Sequence, residues 1–281
     1  MKKSLFFFSA LMICSSVFAQ LNYPASLGQN VAGTYTDLGT NGTAITTSNQ
    51  NNANSAPVPI GFTFNFNGTN MTHFILNTNG FIKLGSSAGM SPPSGASLFF
   101  TGGGASYTDG IFNSTSTADV NLVSPFNHDL INGGSTTEFR VHTAGSTGSQ
   151  VCTIQFKNVK DSTTNPYNQF DSVNFQIKLY ESTDVIEFIY GNWYASSDSS
   201  RFKSSACGLK GAGTTEITAV TKASTQDWSG AQFIATNYTG NAFNFGNDNP
   251  GNGTGPNGGR PMPDVGRTFR FIPAFNNDIS V

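Results

Sequence analysis

The chain has 281 residues, enough for one large all-β domain or two small domains. Only 11% of its residues are charged, its net charge is −2, and its 14 Lys and Arg residues are scattered. Nucleic-acid binding depends on clustered cations that neutralise phosphates, so we expect no nucleic-acid partner. The low net charge and the ordered apolar runs also argue against a disordered chain, and they indicate a folded domain with a neutral, polar surface.

Residues 1–19 have the pattern of a cleavable signal peptide. Lys2 and Lys3 form a positive n-region, and the apolar stretch that follows is too short for a stable membrane span. Val17 and Ala19 occupy the small-residue positions before a cleavage site that would leave Gln20 as the N-terminus. We therefore expect a protein that is secreted or displayed at the outer cell surface, with no transmembrane segment.

Short runs of alternating apolar and polar residues recur between turn-forming residues. Residues 60–66 alternate Ile or Phe with small and polar residues, which predicts a half-buried strand. Asn79-Gly80 lies between two further runs and predicts a β-hairpin with a two-residue type I′ turn. No window has helical periodicity, so we predict an all-β fold, a two-sheet antiparallel β-sandwich of the jelly-roll or lectin-like type. Long Gly/Asn-rich loops are expected at 39–56, 85–105 and 245–264.

These patterns divide the chain into three parts. Residues 1–19 are the signal peptide, and residues 20–273 form a single β-sandwich domain without a composition break. Residues 274–281 read as a linker or as the start of a following module, and the sequence leaves open whether the chain is a fragment of a longer protein.

Five segments occur in an order that is typical of one family of modules. They are PVPIGFTFNFNG with THFILNTNGFIKLG, NLVSPFNHDL, VNFQIKLYESTDVIEFIYG, SSACGLKG and GRTFRFIP. Together they resemble the N-terminal lectin-like β-sandwich module of secreted and surface proteins from bacteria with type IX secretion, and more distantly a nidogen-like extracellular module. The resemblance implies a non-catalytic module. Where the family pattern has Trp-Asp-Asp, this chain has Asn127, His128 and Asp129, which weakens any binding or metal site built on that pattern.

Two carboxylate-containing pairs are candidates for catalysis. His128 and Asp129 are adjacent on an extended segment and point to opposite faces, so neither can easily orient the other, and we interpret them as scaffold. Glu181 and Glu187 flank a predicted hairpin turn and would face each other near it, whereas glycoside hydrolysis needs two carboxylates at a defined separation across a substrate. We predict no catalytic residue, and a jelly-roll glycoside hydrolase is the least favoured alternative.

Aromatic residues in loop-like polar surroundings are the remaining clue to a ligand. An exposed ring can stack on the apolar face of a sugar while neighbouring amides and carboxylates bind its hydroxyls. We therefore predict a glycan-binding or adhesive surface at Trp193, Tyr194, Trp228 and Asp227. Two alternatives stay open: each Trp plugs one end of the sandwich, and the chain is a purely structural module of a larger surface protein.

The sequence predicts no cofactor and leaves calcium and a disulfide as open questions. A calcium loop usually has more than one carboxylate. Asp129 and Asp248 are weak calcium candidates, because each would be a single carboxylate in its own segment. Once the signal peptide is removed, Cys152 and Cys207 remain. Alternation places Cys152 on the inward face of its strand with Ile154. Export permits a disulfide, and two buried thiols are the equal alternative.

Overall fold

In a computed structural model the chain forms two antiparallel β-sheets that pack face to face as a β-sandwich. The structure describes residues 21–94, 110–162, 169–196, 203–213, 216–223, 226–235, 243–246 and 262–274. Helical structure in these residues is limited to three short 3-10 turns at Ala25–Leu27, Ile111–Asn113 and Trp228–Gly230. None of them is long and apolar enough to cross a membrane. The predicted all-β fold is confirmed, while the predicted signal peptide and residues 275–281 lie outside the described residues.

The first sheet has nine strands in the described part of the chain. They are β1 (Gln29–Ala32), β2 (Thr43–Ala44), β7 (Leu130–Asn132), β8 (Glu138–Ala144), β9 (Val151–Asp161), β10 (Phe170–Tyr180), β11 (Ile186–Tyr190), β12 (Tyr194–Ala195) and β17 (Arg267–Phe271). Seven of them form the path β1-β17-β11-β10-β9-β8-β2, while β12 pairs with β10 and β7 pairs with β9.

The second sheet has eight strands in the described part. They are β3 (Val58–Phe66), β4 (Thr69–Asn77), β5 (Phe81–Gly85), β6 (Leu122–Asn127), β13 (Lys203–Lys210), β14 (Ile217–Thr221), β15 (Gln232–Ala235) and β16 (Phe243–Gly246). The path is β15-β14-β13-β6-β5-β4-β3, and β16 pairs with β13. The two-residue side-chain period of each strand directs one face of each sheet into the shared core.

Aromatic rings join the two sheets in the centre of the core. Phe156 of β9 and Phe175 of β10 are cross-strand partners whose rings stack 4.7 Å apart. Phe126 of β6, on the opposite sheet, lies 6.3 Å from the Phe175 ring. Cys152 and Ile154 are buried on the same face as Phe156, so the predicted inward face of this strand is confirmed.

The β4–β5 hairpin lies where the sequence predicts it, but its turn differs. Asn77 pairs with Phe81, so the loop has three residues instead of two. Within this loop only Gly80 has a positive φ, +81°, and its N–H donates to the Asn77 carbonyl at 3.2 Å. A three-residue loop needs a single left-handed residue, and the Asn77 side chain accepts the N–H of Asn79 at 2.9 Å. The type I′ prediction is therefore wrong, because it requires two left-handed residues.

Strand β3 is an edge strand whose backbone is partly bound by the first sheet. The Thr143 hydroxyl donates to the Ile60 carbonyl at 2.6 Å. The Asn65 N–H donates to the Asp184 carboxylate at 2.9 Å. The ladder between β3 and β4 shifts register within residues 59–64, a stretch that begins with a proline. The edge is therefore irregular and partly paired.

A smaller apolar cluster lies on the outer face of the second sheet. Its buried members are Phe81, Ile111, Phe112, Leu122, Ala206, Ile217 and Ala219. Lys210 is buried beside it, and its ammonium donates to the carbonyls of Ser114 at 2.6 Å and Ile111 at 3.3 Å. The buried Asp119 carboxylate accepts the Ser114 hydroxyl at 2.6 Å and the Ser94 N–H at 2.7 Å. These bonds hold residues 110–121 against the sheet.

Candidate functional site

Residues 45–55 form a loop that joins the two sheets at one side of the sandwich. At its start, the Ile45 N–H donates to the Phe139 carbonyl on β8 at 2.8 Å. At its end, the Ser55 N–H donates to the Leu76 carbonyl on β4 at 2.8 Å, and the Leu76 N–H donates to the Ser55 hydroxyl at 3.0 Å. Because both ends are fixed, this Asn-rich loop has a defined conformation.

A groove of about 840 Å³ lies between this loop and the start of β8, and we call it the edge groove. Its volume falls in the range of small-molecule sites. A pocket of about 160 Å³ shares Ala44, Ile45 and Thr46 with it and extends it toward the start of β3. The edge groove is lined by Ala44, Ile45, Thr46, Thr47, Asn49, Gln50, Asn51, Asn132, Thr137, Glu138 and Phe139.

Exposed amides and hydroxyls dominate the lining of the edge groove. The side chains of Thr46, Asn51 and Asn132 are exposed and bond to no other residue in the part of the chain that the structure describes. Gln50 donates its amide to the Thr137 carbonyl at 3.2 Å, which leaves its side-chain oxygen as an acceptor. Since each amide offers donors and an acceptor, the groove can bind a hydroxylated ligand without breaking internal hydrogen bonds.

The charge in the edge groove is neutralised by a neighbouring residue. Among the described residues that line it, Glu138 is the one that carries a charge. Arg140 donates Nε to the Glu138 Oε1 at 2.8 Å and contacts the same oxygen through a second nitrogen. Arg140 also donates to the carbonyls of Thr40 at 3.3 Å and Gly42 at 3.1 Å, so its guanidinium is held in place. The groove is therefore close to neutral, and Arg140 is not among its described lining residues, so the groove suits a neutral ligand better than an anion.

Both tryptophans of the predicted glycan surface are buried, so their predicted exposure is wrong. Trp228 is 1% exposed and Trp193 is 8% exposed. Their ring centroids lie 5.2 Å apart, and the Trp193 Nε1–H donates to the Asn174 carbonyl at 3.1 Å. Tyr190 contacts both indoles, with centroids at 6.2 and 4.8 Å. They form one cluster in the core.

The other two residues of that predicted surface are exposed but lie outside the edge groove. Tyr194, on the short strand β12, is 58% exposed. Asp227 is exposed just before the 3-10 turn that contains Trp228. With both indoles in the core, Tyr194 is the one predicted aromatic residue that could contact a sugar, and its role stays a prediction.

The His128–Asp129 segment is mostly buried where β6 ends. His128 is buried, with its ring Nδ1 3.0 Å from the Ser204 carbonyl. Asp129 is half-buried, and its Oδ1 is enclosed without a hydrogen-bond partner among the described residues. In the same part of the chain, no three His, Cys, Asp or Glu residues are placed to hold a metal ion. Asp248, the other calcium candidate, lies outside the described residues.

Cys152 and Cys207 are both free, buried thiols. They lie on β9 and β13, which belong to different sheets. Burial raises the pKa of each thiol to about 12. The sequence left two alternatives open, a disulfide or two buried thiols. In the structure Cys152 and Cys207 are two buried thiols and form no disulfide.

Glu181 and Glu187 do not face each other, so that part of the prediction is wrong. The cross-strand partner of Glu187 is Lys178. Glu181 lies outside the ladder, and its carboxylate accepts the N–H groups of Gly148 and Gln150, each at 2.8 Å. Its carboxylate is therefore used to bind a neighbouring turn.

Residues 28–273 match the model of a protein family described as "NIDO related". The chain belongs to the NIDO-related family. The matched region contains every described strand from β1 to β17, so both sheets and the edge groove are part of the NIDO-related region. The nidogen-like part of the resemblance is confirmed. Neither the curated proteins nor the solved structures include a significant match to this chain.

Sequence reasoning missed the edge groove because residues 39–56 read as an ordinary polar loop. The composition of the loop correctly indicates exposure. Its attachment depends on Phe139 and Leu76, which are distant in the sequence and carry no local signal of this contact. The excess of Asn and Thr at 46–54 is the one feature that could have indicated a polar binding surface.

Proposed function

We propose that this chain is an exported, non-catalytic binding module that holds a neutral glycan in the edge groove. The carrying observation is that the unengaged side chains of Thr46, Asn51 and Asn132 line a nearly neutral groove, next to the buried apolar residues Ile45 and Phe139. A sugar ring presents hydroxyls around its rim and C–H groups on its faces, so it needs polar partners together with an apolar contact. The edge groove supplies both.

The state of the candidate catalytic groups supports a non-catalytic module. Glu181 is bound by two backbone N–H groups, and Glu187 is bound by the Tyr180 hydroxyl at 2.6 Å and by Arg270 at 2.7 Å. His128 is buried in the core. A hydrolase needs a pair of carboxylates free to act on one glycosidic bond, and these two are engaged elsewhere.

The extracellular localisation in this proposal rests on the sequence. Residues 1–19 have the features of a signal peptide, and the chain resembles modules of secreted and surface proteins of bacteria. The neutral, polar surface composition suits such a location. In this proposal the module acts outside the cell, in a bacterium with type IX secretion.

A glycan array with the purified protein tests the proposed function. We expect selective binding of neutral glycans, with and without calcium. The double variant Asn51→Ala/Asn132→Ala should weaken this binding at least tenfold, because both amides are exposed and unbound in the protein. Their removal should leave the unfolding transition unchanged.

Tyr194→Ala is the matched control, because this exposed aromatic lies outside the edge groove. Retained binding in this variant, with loss in the amide variant, would locate the glycan in the groove. Loss in Tyr194→Ala alone would return the site to the predicted aromatic surface. If the folded protein binds no glycan on the array, the purely structural module is favoured. Release of reducing sugar from a glycan would favour a hydrolase.

A further inference from the structure

A second pocket lies near the edge of the first sheet that is farthest from the edge groove, where β1, β17 and β11 are successive strands. Its volume is about 310 Å³, and we call it the Arg270 pocket. In register, Arg270 on β17 stands between Gln29 on β1 and Glu187 on β11. This order places a cation, an amide and a carboxylate in one row on the outer face of the sheet.

Glu187 fixes the polar groups of the Arg270 pocket. It is 4% exposed, its Oε1 accepts the Arg270 Nε–H at 2.7 Å, and the same oxygen lies 2.6 Å from Arg270 Nη2 in an ion pair. The Tyr180 hydroxyl donates to its Oε2 at 2.6 Å. Burial, and then the hydrogen bond with Glu187, raise the pKa of the Tyr180 hydroxyl, so it stays a donor. Both carboxylate oxygens are thus occupied, and the guanidinium is held rigidly.

The polar groups that remain available in this pocket are mainly donors. A guanidinium has five N–H groups; on Arg270 the Nε–H donates to Glu187, one Nη1–H donates to the Gln29 side-chain oxygen at 3.3 Å, and one Nη2–H is taken up by the ion-pair contact with Glu187. Two guanidinium N–H groups therefore remain, together with the amide N–H₂ of Gln29 and the exposed hydroxyl of Thr183. A ligand that matches this set must be rich in acceptors.

The nearby carboxylates of the β10–β11 turn are directed to other partners. Glu181 accepts the N–H groups of Gly148 and Gln150, and Asp184 accepts the Asn65 N–H at 2.9 Å. Neither lines the Arg270 pocket. Among the described residues, Glu187 is therefore the one carboxylate bound to this guanidinium, and an anion could use the remaining N–H groups without displacing it.

We propose that the Arg270 pocket binds the carboxylate of an acidic sugar of the uronic acid class. The two free guanidinium N–H groups match a carboxylate, which Arg binds through paired donors. Gln29 and Thr183 are placed for the neighbouring hydroxyls, and Val185 and Ile272 give the sugar ring an apolar wall. This site shares no residue with the edge groove and has different chemistry, so it goes beyond the proposed function.

Calorimetry or NMR titration of the purified full-length protein with methyl β-glucuronide tests this proposal. We expect saturable binding that is at least tenfold tighter than that of methyl β-glucoside, which lacks the carboxylate. Cyclohexanecarboxylate, which has the charge without the hydroxyls, should bind at least fivefold more weakly than the glucuronide.

Thr183 offers a variant that leaves the buried ion pair intact. Thr183→Glu adds a carboxylate at the exposed mouth of the pocket and should weaken glucuronide binding at least tenfold. Thr183→Gln has nearly the same size without charge and should stay within about threefold of the parent. Both variants should unfold at the parent temperature, because the side chain is exposed in a turn.

Three results would overturn the proposal. Equal binding of glucoside and glucuronide would show that the carboxylate is not recognised, and equal binding of cyclohexanecarboxylate would show that the sugar is not. Loss of glucuronide binding in Asn51→Ala/Asn132→Ala, with Thr183→Glu unaffected, would place the acidic sugar in the edge groove. Because that double variant probes the other site, failure of this proposal is distinguishable from failure of the proposed function.

Discussion

Trp193 and Trp228 contact each other edge to face, with ring centroids 5.2 Å apart and planes at 81°. This geometry is favourable for aromatic pairs and adds to the energy of burying the two rings. Phe243 extends the cluster, with its ring 4.6 Å from that of Trp228. The two tryptophans that the sequence indicated for a sugar surface therefore stabilise the core.

Trp228→Ala should lower the free energy of unfolding by about 3–5 kcal/mol, because it leaves a cavity beneath Tyr190 and Phe243. Tyr194→Ala, which truncates an exposed ring on a short strand, should change it by less than about 0.5 kcal/mol. Urea denaturation followed by circular dichroism measures both. A stable Trp228→Ala protein that has lost glycan binding would contradict the core assignment.

Gly80→Ala should destabilise the protein more than Gly68→Ala. Both glycines have positive φ, +81° and +78°, so both substitutions cost conformational energy of about 1 kcal/mol. A methyl group at Gly80 would also overlap the Phe126 carbonyl, whereas Gly68 has open space around it. The difference between the two unfolding free energies isolates the close approach of the hairpin to β6. Equal losses would show that the turn moves away from Phe126 at little cost.

The thiols of Cys152 and Cys207 should not react with an aromatic disulfide reagent in the native protein. Burial raises the pKa of both to about 12, which leaves little thiolate at neutral pH. Protein that lacks residues 1–19 should release two equivalents of thiol on unfolding, and its melting temperature should not change with reductant. A mass two units lower, restored by reduction, would show that the two residues are bonded after all.

Lys210 should make stability rise with pH over a defined window. Burial lowers its pKa from 10.5 to about 8, against the opposing charge of Asp119. Between these values the unfolded state binds more protons than the native state, so raising the pH favours the native state. Below pH 8 both states are protonated, and the cost of burying the charge is present in full.

The variant Lys210→Met removes this titration while keeping most of the side-chain length. The difference in unfolding free energy between the parent and this variant should shift in favour of the parent from pH 7.5 to pH 9.5. Other titrating groups cancel in the difference. A difference that does not change with pH would show that Lys210 keeps an ordinary pKa in the folded protein.

Strand positions and inward faces could be predicted from the sequence because they follow from local alternation. Ile60, Phe64 and Cys152 are buried where the alternation places them. The pairing of Glu187 with Lys178 could not be predicted, because it depends on which residues form the turn that joins β10 and β11. Glu181 would lie opposite Glu187 only if that turn were centred on Asp184, whereas the register centres it between residues 182 and 183.

The candidate sites could not be predicted because long-range contacts form them. Trp193 and Trp228 have polar neighbours in the sequence, yet their neighbours in space are Tyr190 and Phe126. Local polarity therefore gave the wrong exposure. The Arg270 pocket joins β1, β10, β11 and β17, and Gln29 and Arg270 are separated by most of the chain.

The irregular edge of β3 affects how copies of the protein behave when they are close together. Open sheet edges recruit strands from neighbouring molecules, and this is a route to aggregation. On β3 the Ile60 carbonyl is occupied by Thr143, the Asn65 N–H is occupied by Asp184, and a proline interrupts the donor row. Many copies held side by side should therefore remain separate molecules, because this edge offers no continuous template on which a neighbour could add a strand.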